Sequence, residues 1–201
     1  GIHSDRDLPV VTTVNQALLR SDVTVSQDNR IQQLPRGKRE LDRVQWVHHD
    51  KIGYLFPQPA TVHLSNQAEQ GRWSDITDQK NVSDELVSKD VFALWIDHGH
   101  QPRHASYQYI VVPDVSVQEL QETIDNNRHI EILSNTADIQ AAKHRALGVC
   151  QIVFYKAGAL EISEDITVRA GSQGMVMLTL QGERIDRMIV SDPSRKLSKM
   201  R

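Results

Sequence analysis

The stretch WVHHDKIGYLFP, residues 46–57, sets two adjacent histidines and an aspartate between a tryptophan and a tyrosine. Read as a catalytic or metal cluster, it gives the chain chemistry of its own. Read as strand, turn and strand, it makes the chain a β scaffold. Neighbouring side chains on a strand point to opposite faces. His48 and His49 therefore cannot readily hold one ion together unless a turn intervenes, and no partner at HxH or HxxxH spacing lies close by. A structural or turn role is the expected reading of His48, His49 and Asp50.

Outward from this stretch the apolar segments stay short and rich in β-branched or aromatic residues. They are 23–25, 43–47, 52–56, 61–64, 91–96 and 107–112 in the first two thirds, then 150–155, 160–162, 166–168, 175–180 and 186–190. Runs of about three to six residues between turn residues fit the antiparallel strands of a sandwich better than helices. In TVHL, Val62 and Leu64 face one side and Thr61 and His63 the other, as on a sheet with one wet face. The fold class expected is all-β.

Two segments depart from that pattern. Ser116 stands as an N-cap with Glu119 three residues on, and Leu120 and Ile124 follow at helical spacing, so one short amphipathic helix is expected. Residues 137–145 read as a second helical or irregular piece, whereas HIEIL at 129–133 returns to strand composition. The region from about 114 to 130 is the connection between two β-rich units, giving expected domains of 1–128 and 129–201.

Composition excludes several function classes. Of 201 residues, 39% are apolar, enough for a sizeable core. Lys plus Arg number 23 against 26 acidic residues, so the cationic excess of a phosphate-backbone binder is missing and nucleic acid is not an expected partner. A single cysteine, Cys150, leaves no intramolecular disulfide and no cysteine set for zinc; it is expected as a buried small hydrophobe. No window approaches the roughly 18 apolar residues of a membrane span, and GIHSDRD at the N-terminus lacks a basic region followed by an apolar run.

Other constellations are equally plain. Asp97, His98, Gly99, His100 and His104 include two histidines at alternate spacing, but Gly99, Gln101 and Pro102 favour a loop after VFALWI over a metal site. No GxSxG elbow occurs. GSQG at 171–174 lacks the lysine of a phosphate loop and reads as a hairpin turn. The pairs Asp84–Glu85 and Glu164–Asp165 sit in polar loop composition. Trp46, Trp73, Trp95, Tyr54, Tyr107 and Tyr109 are the rings available to stack on sugars; Trp95 is expected in the core and Trp73 in the open.

In chain order, VVTTVNQALL (10–19), WVHHDKIGYLFP (46–57), GRWSDI (71–76), FALWIDHG (92–99), YQYIVVP (107–113) and MIVSDPS (188–194) resemble the C-terminal half of the polysaccharide lyases that include chondroitin AC, hyaluronate and xanthan lyases. The pairing of IDHG with YQYIVVP leans toward the chondroitin AC lyase branch. The resemblance implies the second part of a central β super-sandwich followed by a small C-terminal β-sandwich. It also implies β-elimination on uronic-acid-containing glycans: a neutralised carboxylate acidifies the C5 proton, a base removes it, and the glycosidic oxygen leaves with a proton from an acid. In the family the Asn, His, Tyr and Arg performing these steps lie on an N-terminal helical toroid. No helical array of that kind is legible here.

The resemblance therefore transfers no catalytic residue to this chain, assigns no metal ligand or cofactor, and leaves glycan-contacting residues unassigned. It implies an acidic polysaccharide (chondroitin sulfate or hyaluronan) and the upstream toroid as partners, no membrane contact, and a secreted or periplasmic bacterial location. Within it, WVHHD ends a strand, Asp50 to Gly53 form a turn, and Tyr54 opens the next strand. The terminal sandwich is expected to continue for several strands after the DPS turn, so the sequence reads as cut. Alone, the chain is expected to be inactive. Alternatives from other classes are a non-catalytic carbohydrate-binding or interaction module and a small enzyme using the histidine-rich loops.

Overall fold

The computed structural model describes residues 1–126, 130–182 and 184–195, and these divide into two compact units, His3–Glu122 and Thr123–Arg201 together with Gly1–Ile2. The first unit contains β1 (Pro9–Leu18), β2 (Thr24–Gln27), β3 (Arg30–Gln33), β4 (Lys38–His49), β5 (Ile52–Gly71), β6 (Val87–His100) and β7 (Ile110–Pro113). All are antiparallel in one sheet of order β1-β6-β5-β4-β2-β3, with β7 added to the start of β5.

Strands are far longer than the apolar runs suggested. IGYLF and TVHL, expected as separate strands, are two parts of the 20-residue β5. Between them Pro57 and Pro59 are exposed, in the stretch where the ladder to β4 jumps from Leu55 to Ala60. A proline there has no ladder hydrogen bond to lose. The first part of β5 pairs with β7 and the second part with β6.

One face of this sheet carries the main core. Phe92, Leu94, Val62, Leu64, Val44 and Val47 are each 0% exposed there. Burial of each large side chain contributes about 1.5–3 kcal/mol. Near the β4–β5 hairpin the other face is covered too. Helix α1 (Val117–Asn126) places fully buried Leu120 so close to Gly53 that any Cβ at that position would collide with it. Trp46 Nε1 donates to Gln121 Oε1 at 3.2 Å. The helix starts as its sequence predicts: Ser116 N–H donates to Glu119 Oε2 at 2.9 Å, and Glu119 N–H donates to Ser116 Oγ at 3.2 Å. The Ser116 N–H and the Ser116 hydroxyl, which donates to the same Oε2 at 2.7 Å, hold the Glu119 carboxyl below its ordinary pKa.

The second unit holds β8 (Ile130–Asn135), β9 (Ile139–His144), β10 (Val149–Phe154), β11 (Gly158–Ser163), β12 (Ile166–Ala170), β13 (Gly174–Gln181) and β14 (Arg184–Ser191). A five-stranded sheet of order β14-β13-β10-β9-β8 and the β11–β12 ribbon enclose Cys150, Ile152, Phe154, Ile162, Val168 and Leu178. Cys150 is 0% exposed, and burial pushes its thiol above the ordinary value.

Two expectations fail in this unit. The helical or irregular reading of 137–145 falls on β9, an interior strand hydrogen-bonded to β8 and β10 at once. Pairing on both edges outweighs the helix preference of Ala141, Ala142 and Lys143. GSQG is not a hairpin turn either. It carries the chain from β12, paired only with β11, to β13 in the other sheet.

Candidate functional site

The β4–β5 hairpin closes on two residues, Asp50 (φ 48°) and Lys51 (φ 63°), and pairing resumes at His49 with Ile52. Two successive left-handed residues suit the right-handed twist of the strands. The turn is thus tighter than the one extending to Gly53, because Ile52 and Gly53 already pair with Pro113 and Val112 of β7. His48 and His49 leave the strand on opposite faces. His48 Nε2 lies 2.8 Å from the Val115 carbonyl oxygen, just before α1.

His49 faces the core and is 1% exposed. Its ring stacks on Phe92 with centroids 4.4 Å apart. Nε2 accepts the backbone N–H of Arg20 at 3.3 Å, so the lone pair a base would need is already engaged. Burial holds the imidazole below its ordinary pKa, Asp50 partly opposes this, and His48 adds to it. Asp50 itself turns its backbone N–H to Ser21 Oγ at 3.0 Å.

Tyr54 packs on Phe92 at 6.0 Å and accepts a hydrogen bond from Asn15 Nδ2. Burial raises its phenol pKa, and the Asn15 bond opposes the rise. His49 and Tyr54 are therefore two neutral rings packed on one phenylalanine. A buried neutral imidazole with its acceptor nitrogen occupied and a phenol that resists ionisation supply packing and polarity to this part of the core.

The second histidine group differs from its expected loop. β6 runs through His100, with Asp97 opposite Val11 and His100 opposite Pro9, because pairing to β1 continues past Gly99 (φ 74°). His98 Nε2 sits 2.8 Å from Thr12 Oγ1, and His100 Nδ1 sits 3.1 Å from Asp7 Oδ1. Each imidazole thus has its own partner, and His104 adopts φ 63° in the following segment. Among the described residues no group of three His, Cys, Asp or Glu side chains is arranged to hold a metal. Glu85 N–H donates to Ser83 Oγ within an exposed loop, and Glu164–Asp165 form the exposed turn between β11 and β12.

The aromatic side chains fall into buried and displayed sets. Trp46 and Tyr54 are core residues at 0% and 2% exposure. Trp95 is not the core residue expected: Phe92, Leu94 and Ile96 take the buried face, leaving Trp95 half-buried on the opposite one. There it stacks on His63 at 5.4 Å, under the Lys38 ammonium at 5.3 Å, while Glu40 lies 3.6 Å from His63. Trp73 is 59% exposed, as the sequence suggests, on a 3₁₀ turn with Ile76 beside it at 74%. Arg72 secures that turn, its Nε donating to the Asp84 carbonyl at 3.1 Å. A third set is a ladder of rings, His98 to Tyr107 at 5.9 Å and Tyr107 to Tyr109 at 6.1 Å. Sequence reading named these tyrosines but missed Thr12, Asn15 and Arg20, whose partners lie 29 to 86 residues away.

Comparison with known proteins places the two units in sequence. The model of the polysaccharide lyase family 8 super-sandwich domain matches residues 1–124, and that of the family's C-terminal β-sandwich domain matches 131–201. Chondroitinase-AC of Pedobacter heparinus is 37% identical over 166 residues, covering 81% of this chain and 23% of the relative. Xanthan lyase of Bacillus sp. is 28% identical over 165 residues, covering 77% of this chain and 18% of the relative. A solved chondroitinase AC lyase superposes with a TM-score of 0.80 at 33% identity, over 89% of this chain and 26% of that one. Paenibacillus xanthan lyase shares the fold at a TM-score of 0.78, with 24% identity over 90% of this chain and 18% of that one. The chain thus spans about a quarter or less of the length of these relatives.

Proposed function

Because this chain belongs to polysaccharide lyase family 8, we propose that it is the β-sandwich portion of a secreted or periplasmic lyase that cleaves chondroitin sulfate or hyaluronan by β-elimination. The proposed domains are 1–128, the later part of the super-sandwich, and 129–201, the start of the C-terminal sandwich. In the reaction a base takes the proton from C5 of the uronate. The electron pair forms the C4–C5 double bond, and the C4–O bond breaks as an acid protonates the leaving oxygen. A cation or hydrogen-bond donor at the carboxylate stabilises the charge that develops.

These steps belong to residues of a helical toroid outside the 201 described by this sequence. The role of this portion is scaffold and glycan contact. The observation carrying the reading is the succession of two family domains along one chain, with 37% identity to a chondroitinase. The occupied Nε2 of His49 and the raised pKa of Tyr54 support it, since the ring cluster of the first unit supplies no ready base.

The test is release of unsaturated uronate from chondroitin sulfate and hyaluronan, followed by ultraviolet absorbance, with the complete polypeptide and with residues 1–201 side by side. Turnover only by the complete polypeptide is expected. Metal-independent turnover by residues 1–201 overturns the assignment of catalysis elsewhere. Glycan binding without turnover by the complete polypeptide favours a non-catalytic carbohydrate-binding module instead.

A further inference from the structure

Three sets of displayed aromatic rings compete as sites for a sugar, and the cation beside each separates them. An anionic pyranose needs an apolar ring for its C–H face and a cation for its carboxylate or sulfate; a guanidinium can meet such a group with two parallel hydrogen bonds. Lys38 already lies over Trp95, whose other neighbour is His63 in a stacked arrangement. Arg72 is tied to the Asp84 carbonyl, and the loop displaying Trp73 also carries Asp75, Asp78, Asp84 and Glu85.

The ladder His98–Tyr107–Tyr109 also has carboxylates near it, Asp97 and the Asp7 that meets His100, but differs in how its rings are held and in its cation. Tyr109 packs against the core and anchors it, Thr12 fixes the His98 ring at 2.8 Å, and Tyr107 is 43% exposed. Exposed Arg103, four residues before Tyr107 on the same connection between β6 and β7, makes no hydrogen bond or ion pair among the described residues. A ring set held before the ligand arrives loses little freedom on binding.

We propose that His98, Tyr107 and Tyr109 with Arg103 form a subsite for one anionic sugar residue of an acidic polysaccharide, Tyr107 stacking on the ring and Arg103 pairing with its carboxylate or sulfate. The site rests on the reading that the substrate is an acidic polysaccharide. Thr12 and His98 act as positioning residues for the ladder.

Calorimetric titration of residues 1–201 with a chondroitin sulfate tetrasaccharide tests it, with a neutral dextran oligosaccharide and sodium sulfate as controls. The tetrasaccharide binds and the two controls do not. Arg103→Gln weakens binding about tenfold, the loss expected for one charge-assisted hydrogen bond. Tyr107→Ala weakens it by at least as much, Tyr107→Phe retains it, and Trp73→Ala leaves it unchanged. If Tyr107→Ala fails to fold, the exposed Arg103→Gln variant still decides the matter. No binding, equal binding by Arg103→Gln and the parent chain, or loss only in Trp73→Ala overturns the proposal. The two readings fail separately. Turnover by the complete polypeptide with an unchanged KM in Arg103→Gln removes the subsite and keeps the lyase; Arg103-dependent binding without turnover does the reverse.

Discussion

Strand β6 of the first unit and strand β14 of the second have comparable apolar content and opposite fates. In β6 Phe92 and Leu94 are 0% exposed in a core shared with β1, β2, β4 and β5. In β14 every residue is exposed, including Ile185 at 46%, Met188 at 57% and Val190 at 41%. Yet those three sit opposite Leu180, Leu178 and Val176, which are core residues of β13. The apolar face of the five-stranded sheet therefore extends one strand beyond what the β11–β12 ribbon covers. Alternation tells which face of a strand is apolar; only a packing partner makes that face stabilising.

The contrast breaks most decisively at Phe92. Phe92→Ala removes the ring on which both His49 and Tyr54 lie, and the cavity is expected to destabilise the first unit by about 3–5 kcal/mol. Urea denaturation followed by tryptophan fluorescence measures it, since Trp46 and Trp95 lie in that unit; a loss near that of a surface substitution contradicts the core described.

A smaller effect sharpens the comparison through pH. His49 is held neutral below its ordinary value of 6.5. Its contribution is complete above that pH and is lost as pH falls from there through the lowered folded value, because the unfolded chain takes up the proton first. The slope is at most about 1.4 kcal/mol per pH unit for one proton. His49→Gln is expected to remove that slope between the two values, measured as the pH dependence of the denaturation midpoint. A parent chain equally stable throughout contradicts the assignment.

Met188→Ala lies at the small end. An exposed methionine on β14 has little burial to lose, so its removal shifts stability by no more than about 0.5 kcal/mol. A loss of several kcal/mol in calorimetric melting shows that this face is covered in solution.

Much of the architecture was legible because strands advertise themselves by alternation and helices by caps. Val62 and Leu64 against Thr61 and His63 gave the faces of β5, and Ser116 with Glu119 gave the start of α1. Strand lengths were not legible, since polar residues on a wet face interrupt an apolar run without interrupting the ladder. β9 was hidden for a related reason: Ala141, Ala142 and Lys143 carry a local preference that pairing on both edges overrides. Of the candidate sites, the sequence could separate His48 from His49 by the period of a strand, and it could name the tyrosines. It could not show that His98 and Thr12 lie together, nor that Trp95 faces away from the core.

By itself, then, the sequence determined an all-β chain with one short helix and a turn somewhere within Asp50–Gly53, because period and turn chemistry are local properties of the backbone. Tertiary structure alone decided which aromatic rings are buried, which imidazole nitrogen is occupied and that the Arg103 guanidinium is left uncommitted among the described residues. Those outcomes depend on residues far apart in the chain reaching the same few ångströms, and no local pattern encodes that meeting.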